Sequence, residues 1–170
     1  MMNSIKKKLN VHTISILVAN KPGVLVRCAQ VFAKRGFNID ALVVSATVNP
    51  EFSRMTITAQ GDPGTLDQII KQTSKLVDVT HCSEHTGIDS IDREYALVKI
   101  KHSPSSKIAL NKTLKKFHAN VIRTEKGVAI IEQSGTTQEL DELEGLLKKF
   151  GIIEMVRSGK LVMVKGRQAT

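Results

Sequence analysis

The amino-acid sequence predicts an α+β fold built from two units that follow one another along the chain, each with the element order βαββαβ. Apolar and polar residues alternate over residues 11–18, which is the pattern of a half-buried strand. Apolar residues then recur at helical spacing over residues 24–35. The same succession of patterns starts again at residue 95.

The first unit has four predicted strands and two predicted helices. Asn49-Pro50 ends the second strand, Asp62 or Thr65 is expected to cap the second helix, and Cys28 is expected to act as a small core residue. We expect strands at 11–18, 39–48, 53–59 and 77–83, and helices at 24–35 and 66–75.

The second unit repeats this order after a polar stretch at residues 86–93. This stretch reads as a linker, so the predicted division is an N-terminal domain at 1–85, a linker at 86–94 and a C-terminal domain at 95–170. We expect strands at 95–100, 119–124, 128–132 and 152–156, helices at 104–118 and 136–150, and a short tail strand at 161–164.

Each unit therefore has the split-βαβ, ferredoxin-like order, in which two helices cover one face of a four-stranded antiparallel sheet. Units of this size have modest cores, and their open faces and edge strands need covering. Oligomerisation is expected on these grounds alone.

Composition and charge restrict the function classes. The chain has 170 residues with a net charge of +9, and the basic excess occurs in both halves: 10 Lys/Arg against 6 Asp/Glu in residues 1–85, and 15 against 10 in residues 86–170. Such a spread indicates solubility or an acidic partner rather than nucleic acid. There is no apolar run long enough to span a membrane. The start MMNSIKKKLN lacks the apolar core of a secretory signal, so its lysine run at 6–8 is expected to be solvated.

The turn Asn20-Lys21-Pro22-Gly23 is the strongest candidate binding feature. A Pro-Gly pair between a strand and a helix leaves backbone N–H groups at the helix start, where a carboxylate can bind. Asn38 begins the next strand, and we expect its amide at the same end of the sheet as Gly23. The two features together suit a free amino acid, whereas alone they are also ordinary choices for a helix start and a turn.

Two other site types fit poorly. An RNA-recognition domain shares the βαββαβ order, but it needs aromatic residues on its third strand, and the corresponding strand here reads SRMTITA. His81 and His85 lie about 13 Å apart on an extended strand, too far to share one metal ion. No nucleophile elbow, phosphate-binding loop or paired-acid arrangement is present.

Several ordered segments carry a family resemblance. Residues 20–44, NKPGVLVRCAQVFAKRGFNIDALVV, resemble the opening of an ACT domain, a regulatory module that binds amino acids. SRMTITAQGD at 53–62, KLVDV at 75–79, REYALVKI at 93–100 and EMVRSGKLVMVKG at 154–166 are similar to the regulatory small subunit of acetohydroxyacid (acetolactate) synthase. The second unit is then an ACT-like C-terminal domain.

The resemblance implies a subunit without an active site of its own. In that family the large subunit holds thiamine diphosphate, Mg and FAD, and performs the first common step of branched-chain amino-acid synthesis. The small subunit activates the large one and confers feedback inhibition by valine. Valine binds between two ACT domains that form a homodimer edge to edge.

On this chain the resemblance assigns six residues to the valine site. Backbone N–H groups after Gly23 would hold the carboxylate, the Asn38 amide oxygen would accept from the ammonium, and Leu25 and Ile39 would flank the isopropyl group. The full set is Asn20, Gly23, Val24, Leu25, Asn38 and Ile39. The Ser103-Pro104-Ser105 turn of the second unit is a weaker candidate for anion binding. That unit is expected to serve dimerisation or docking to the catalytic subunit.

Two alternatives remain at this level. The first is a free-standing amino-acid sensor that controls another enzyme or a transcription factor, and co-purification with a thiamine-dependent large subunit distinguishes it. The second is a nucleic-acid binder, whose affinity would depend strongly on salt. We expect no cofactor in this chain, partners limited to the large subunit, a second copy and valine, and a location in bacterial cytoplasm or plastid stroma. Lys21-Pro22 is a local choice that varies among ACT loops, so the resemblance leaves the effector open among valine, leucine and isoleucine.

Overall fold

The computed structural model describes residues 10–87 and 89–170. The lysine run at residues 6–8 lies outside them. The chain divides into two compact units, one formed by Asp92–Leu161 and the other by the residues before it together with Val162–Thr170.

The first unit has the predicted βαββαβ order. Its strands form one antiparallel sheet in the order β2-β3-β1-β4, so β2 and β4 are the edges. The elements are β1 (Asn10–Ala19), α1 (Val24–Ala33), β2 (Asn38–Ala46), β3 (Phe52–Gly61), α2 (Pro63–Thr73) and β4 (Val79–Glu84).

The core of this unit is formed by apolar residues that alternate along the strands and recur at helical spacing in the helices. Ile14 pairs with Ile57 and Ile16 with Met55 across β1 and β3, which places their side chains on the buried face. One stripe from each helix covers that face: Val24, Cys28 and Phe32 from α1, and Leu66 and Ile69 from α2. Asp62 caps α2, because its carboxylate accepts from the Thr65 N–H at 3.1 Å.

Both cysteines are free thiols in the core of the first unit. Cys28 is fully buried, as its place on the apolar side of the helix predicts. Burial, followed by the nearby Cys28, raises the pKa of the Cys82 thiol to about 12. The thiol therefore stays neutral at physiological pH and packs as a small apolar group.

The second unit repeats the order, and the fold class predicted from the sequence is confirmed. Its sheet has the order β6-β7-β5-β8, and a short ninth strand also pairs with β5. The elements are β5 (Ser90–Lys101), α3 (Lys107–Phe117), β6 (Asn120–Glu125), β7 (Val128–Gly135), α4 (Thr137–Leu147), β8 (Ile152–Arg157) and β9 (Leu161–Val164), with 3₁₀ turns at Pro104–Ser106 and Lys148–Phe150.

The linker predicted at residues 86–94 requires a correction, because β5 already begins at Ser90. Residues 90–94 are strand residues, and two of their acids are paired. Glu94 is buried and accepts from Arg157 Nε at 3.0 Å and Nη2 at 2.6 Å, and from the Thr137 hydroxyl at 2.5 Å. Asp92 pairs with Lys160 at 3.1 Å. The polarity of Asp92 and Glu94 therefore reflects ion pairing rather than a loop.

The C-terminal boundary also differs from the predicted domain at 95–170, because Val162–Thr170 groups with the first unit. Arg54 on β3 explains part of this. Its Nη1 donates to the Ser15 hydroxyl at 3.0 Å and to the backbone carbonyl of Thr170. The tail is therefore tied to the sheet of the first unit.

Within the described residues, no helix is long and apolar enough to cross a membrane.

The buried ion pair between Glu94 and Arg157 should contribute measurably to the free energy of unfolding. Replacing it with Ala leaves Arg157 without its buried partner, so Glu94→Ala should lower the free energy of unfolding by about 3 kcal/mol. Urea denaturation measures the loss. Glu154→Ala removes an exposed partner of Lys99 and should change the midpoint far less. Equal effects of the two substitutions would contradict the buried role of Glu94.

Candidate functional site

The turn after β1 is anchored to the neighbouring hairpin. The Asn20 side-chain amide donates to the Pro50 carbonyl at 2.9 Å, and the Asn20 N–H donates to the Glu51 carbonyl at 2.7 Å. Asn20 therefore holds the turn against the loop that joins β2 and β3.

Gly23 stands at the N-cap of α1 in a conformation that side chains rarely adopt. Its φ is +81° and its ψ is −10°. A Cβ there would lie 3.0 Å from Arg27 Nη1. The position therefore favours glycine, and the Arg27 guanidinium lies close to its backbone.

The first turn of α1 offers backbone donors. The Val24 N–H bonds to the Lys21 carbonyl at 3.4 Å, whereas the N–H groups of Leu25 and Val26 have no acceptor within the helix. Such donors at a helix start suit a carboxylate. The Val24 side chain belongs to the core, with 2% exposure, so only its backbone is available to a ligand.

Arg27 lies beside this turn and is a candidate site residue that the sequence did not predict. Its Nη2 bonds to Asp78 Oδ2 at 2.5 Å, and the Asp78 carbonyl accepts from the Ala19 N–H at 2.8 Å, so the guanidinium is fixed beside the turn. The signal was present, because residues four apart on a helix share one face. We call Asn20, Gly23, Leu25 and Arg27 the loop half-site.

Asn38 lies at the opposite end of the sheet from Gly23, so the expectation that one chain brings them together is wrong. Asn38 is level with Gln60, which is level with Val11 at the start of β1. Ala19 at the end of β1 is about 27 Å further along. The reason is that β1 and β2 both pair antiparallel to β3, so they run parallel to each other.

Asn38 and Ile39 form a second group, the strand half-site. The exposed Asn38 side chain donates to Asp40 Oδ1 at 3.2 Å, which leaves its amide oxygen available as an acceptor. Ile39 is half-buried against the core. The half-site thus combines an acceptor, a carboxylate and an apolar wall.

Three cavities in the described part of the chain contain no residue of either half-site. The one with the largest volume, about 460 Å³, lies beside β4 and Val164 and includes His81 and His85. Among the described residues, no group of three His, Cys, Asp or Glu side chains is arranged to hold a metal ion.

Comparison with known proteins identifies the family. Residues 14–81 match the model of the AHAS small subunit-like ACT domain, and residues 93–166 match that of the small subunit of acetolactate synthase. The chain is 38% identical over 157 residues to a probable acetolactate synthase small subunit of Archaeoglobus fulgidus, with 92% of this chain and 98% of that protein covered. The chain belongs to the acetolactate synthase small-subunit family.

Two further relatives agree with this assignment. The acetolactate synthase small subunit of Mycobacterium bovis is 39% identical over 155 residues, with 91% of this chain and 92% of that protein covered. The crystal structure of the Thermotoga maritima acetolactate synthase small subunit superimposes with a TM-score of 0.84 at 32% identity, with 94% of this chain and 99% of that chain covered. The resemblance stated from sequence motifs is confirmed, and the small-subunit family shares this two-unit fold.

The two asparagines should differ in their effect on stability. Asn20→Ala removes the hydrogen bond to Pro50 and should lower the free energy of unfolding by about 1 kcal/mol. Asn38→Ala removes only an exposed contact with Asp40 and should leave it nearly unchanged. Thermal melts of both variants measure this. A large loss for Asn38→Ala would assign that residue a structural role.

Proposed function

We propose that this chain is the regulatory subunit of an acetolactate synthase: it binds the catalytic large subunit, raises its activity and makes it sensitive to valine. Membership of the small-subunit family supports the partnership. The catalytic subunit would carry the thiamine diphosphate, Mg and FAD, and this chain would contribute none of the reacting groups.

The free edge of β2 supports a homodimer through the first unit. β2 has nine residues, pairs only with β3 among the described strands, and contains no Pro or Lys to discourage a further strand. Asp40 is its one charged residue, and Val44 is 41% exposed. The other edge, β4, is shorter and more polar, so β2 is the edge better suited to pairing with a second copy.

Gly23 and Asn38 lie at opposite ends of one sheet, and this observation supports the valine proposal, because pairing of two β2 edges across a two-fold axis would join the separated half-sites. In an antiparallel pair centred on Leu42, Asn38 of one copy lies opposite Ala46 of the other. Ala46 is level with Ser53 and Val18, at the end of the sheet where the loop half-site begins. Each dimer then has two pockets, and each pocket takes one half-site from either copy.

The chemistry of such a pocket fits a free aliphatic amino acid. The N–H groups of Leu25 and Val26, with the nearby Arg27, bind the carboxylate. The ammonium donates to the Asn38 amide oxygen near the Asp40 carboxylate. The Leu25 and Ile39 side chains flank a small branched side chain such as that of valine.

Feedback follows from linkage between binding and assembly. A ligand held by both copies favours the dimer arrangement that holds it, and any change in that arrangement alters the surface offered to the catalytic subunit. Valine binding and catalytic activity are thereby coupled without a contact between valine and the active site.

The first functional expectation concerns activity. The purified chain should form no acetolactate from pyruvate, and it should stimulate a cognate large subunit in the same assay. Turnover by the chain alone, or the absence of stimulation, would contradict the proposal. Co-purification of a different enzyme or of a transcription factor in place of the large subunit would favour the free-standing sensor.

Gly23→Asp should abolish valine inhibition and retain activation. The new side chain fills the space where the carboxylate approaches, and its charge repels the ligand. Inhibition of the reconstituted enzyme is measured against valine concentration.

Gly127→Asp is the matched control, because Gly127 also has a positive φ, +78°, and lies in the second unit. It imposes a comparable backbone strain of about 1 kcal/mol. This control should inhibit normally. Normal inhibition of the Gly23→Asp enzyme would show that the pocket lies elsewhere.

A further inference from the structure

One cavity in the second unit is lined by cations and lacks carboxylates. It has a volume of about 280 Å³ and lies where β5 ends. The other two cavities each include acids, Glu84 and Asp89 in one and Glu125 in the other. The lining residues of this basic cavity are Lys101, His102, Ser103, Ser106, Lys149 and Phe150.

The cations of the basic cavity are not neutralised by the protein. Within the described chain, lysines form ion pairs at positions 71, 99, 148 and 160, and neither Lys101 nor Lys149 is among them. His102 Nδ1 is buried and has no hydrogen-bond partner in the described residues. Buried polar atoms are normally paired, so this nitrogen indicates a missing partner.

The wall of the cavity is fixed by backbone contacts. The His102 N–H bonds to the Gly127 carbonyl at 2.8 Å, and the Lys101 N–H bonds to the Gly151 carbonyl at 3.0 Å. Gly151 has a φ of +78°, and a Cβ there would lie 3.2 Å from Lys101 Cδ. The glycine thus lets the Lys101 side chain pass close to the backbone.

The Ser103–Ser106 turn is also ordered. The Ser103 N–H donates to the Ser106 hydroxyl at 3.1 Å, and the Ser106 N–H donates to the Ser103 carbonyl at 3.0 Å. Phe150 supplies an apolar wall, and Lys149 Nζ lies 5.1 Å from the centroid of its ring. The exposed Lys107 begins α3 directly after Ser106 and adds a further cation next to this turn.

We propose that this cavity binds a phosphate group, either as the free ion or as part of a small phosphorylated molecule. Two ammonium groups and an unpaired imidazole nitrogen match a dianion better than the single charge of a carboxylate. The site is separate from the valine pocket, since every lining residue lies in the second unit. It would give the chain a second effector of a different chemical class.

Calorimetric titration of the full chain tests the site, with inorganic phosphate and glycerol 3-phosphate as probes and acetate as the monoanion. Phosphate should bind saturably and more tightly than acetate. Lys101→Gln and Lys149→Gln should each weaken it about tenfold. Lys126→Gln, a lysine of another cavity in the same unit, should change it less than twofold. Tighter binding of the ester assigns the site to a phosphorylated molecule, and tighter binding of phosphate assigns it to the free ion.

Absence of saturable binding would overturn the proposal. Equal weakening by all three lysine variants would overturn it as well, because it would indicate diffuse attraction to a basic surface. The Gly23→Asp chain should bind phosphate like the wild type, so a failure of the valine proposal and a failure of this one are distinguishable. Thermal melts confirm that each variant is folded.

Discussion

The placement of β3 between β1 and β2 is the constraint on which the rest of the account depends. Because both neighbours pair antiparallel to β3, the loop that follows β1 and the residue that begins β2 lie at opposite ends of one sheet. One copy therefore holds two incomplete half-sites. Antiparallel pairing of β2 with a second copy reverses one strand relative to the other, and it brings each loop half-site next to a strand half-site. On this account the ligand site and the dimer are one structure.

The two units of the chain have the same fold, but their edge strands and their turns carry different residues. In the first unit the edge strand β2 has a single charge, whereas the matching edge of the second unit, β6, contains the ion pair Arg123–Glu125 at 2.6 Å. Charged edges resist pairing, so the first unit is the one better suited to the proposed edge-to-edge dimer. The turn after the first strand also differs: a positive-φ glycine in one unit, and serines beside Lys101 and His102 in the other. We infer that one unit responds to an amino acid and the other to a phosphate.

Periodicity predicted nearly every element, because alternating and helical spacing report directly on which face is buried. The family resemblance was also recoverable, since several ordered motifs are more specific than one turn. The errors have physical causes. The predicted linker includes Glu94 because its partner Arg157 is distant in sequence, and only the pairing of β5 with β8 brings the two residues together. Asn38 was placed at the wrong end of the sheet because strand order requires knowledge of pairing. Arg27 was overlooked because its anchor, Asp78, is equally distant.

A mixed dimer tests the central claim most directly. Chains with Gly23→Asp and chains with Asn38→Ala are given different affinity tags, co-expressed and purified through both tags, and valine binding is measured by calorimetry. Each variant dimer alone should bind valine weakly or not at all. In the mixed dimer one pocket combines both substitutions, while the other combines an intact Gly23 loop with the intact Asn38 of its partner. The account predicts one valine per mixed dimer at nearly wild-type affinity. A mixed dimer that binds no better than either variant would contradict a pocket shared between two copies.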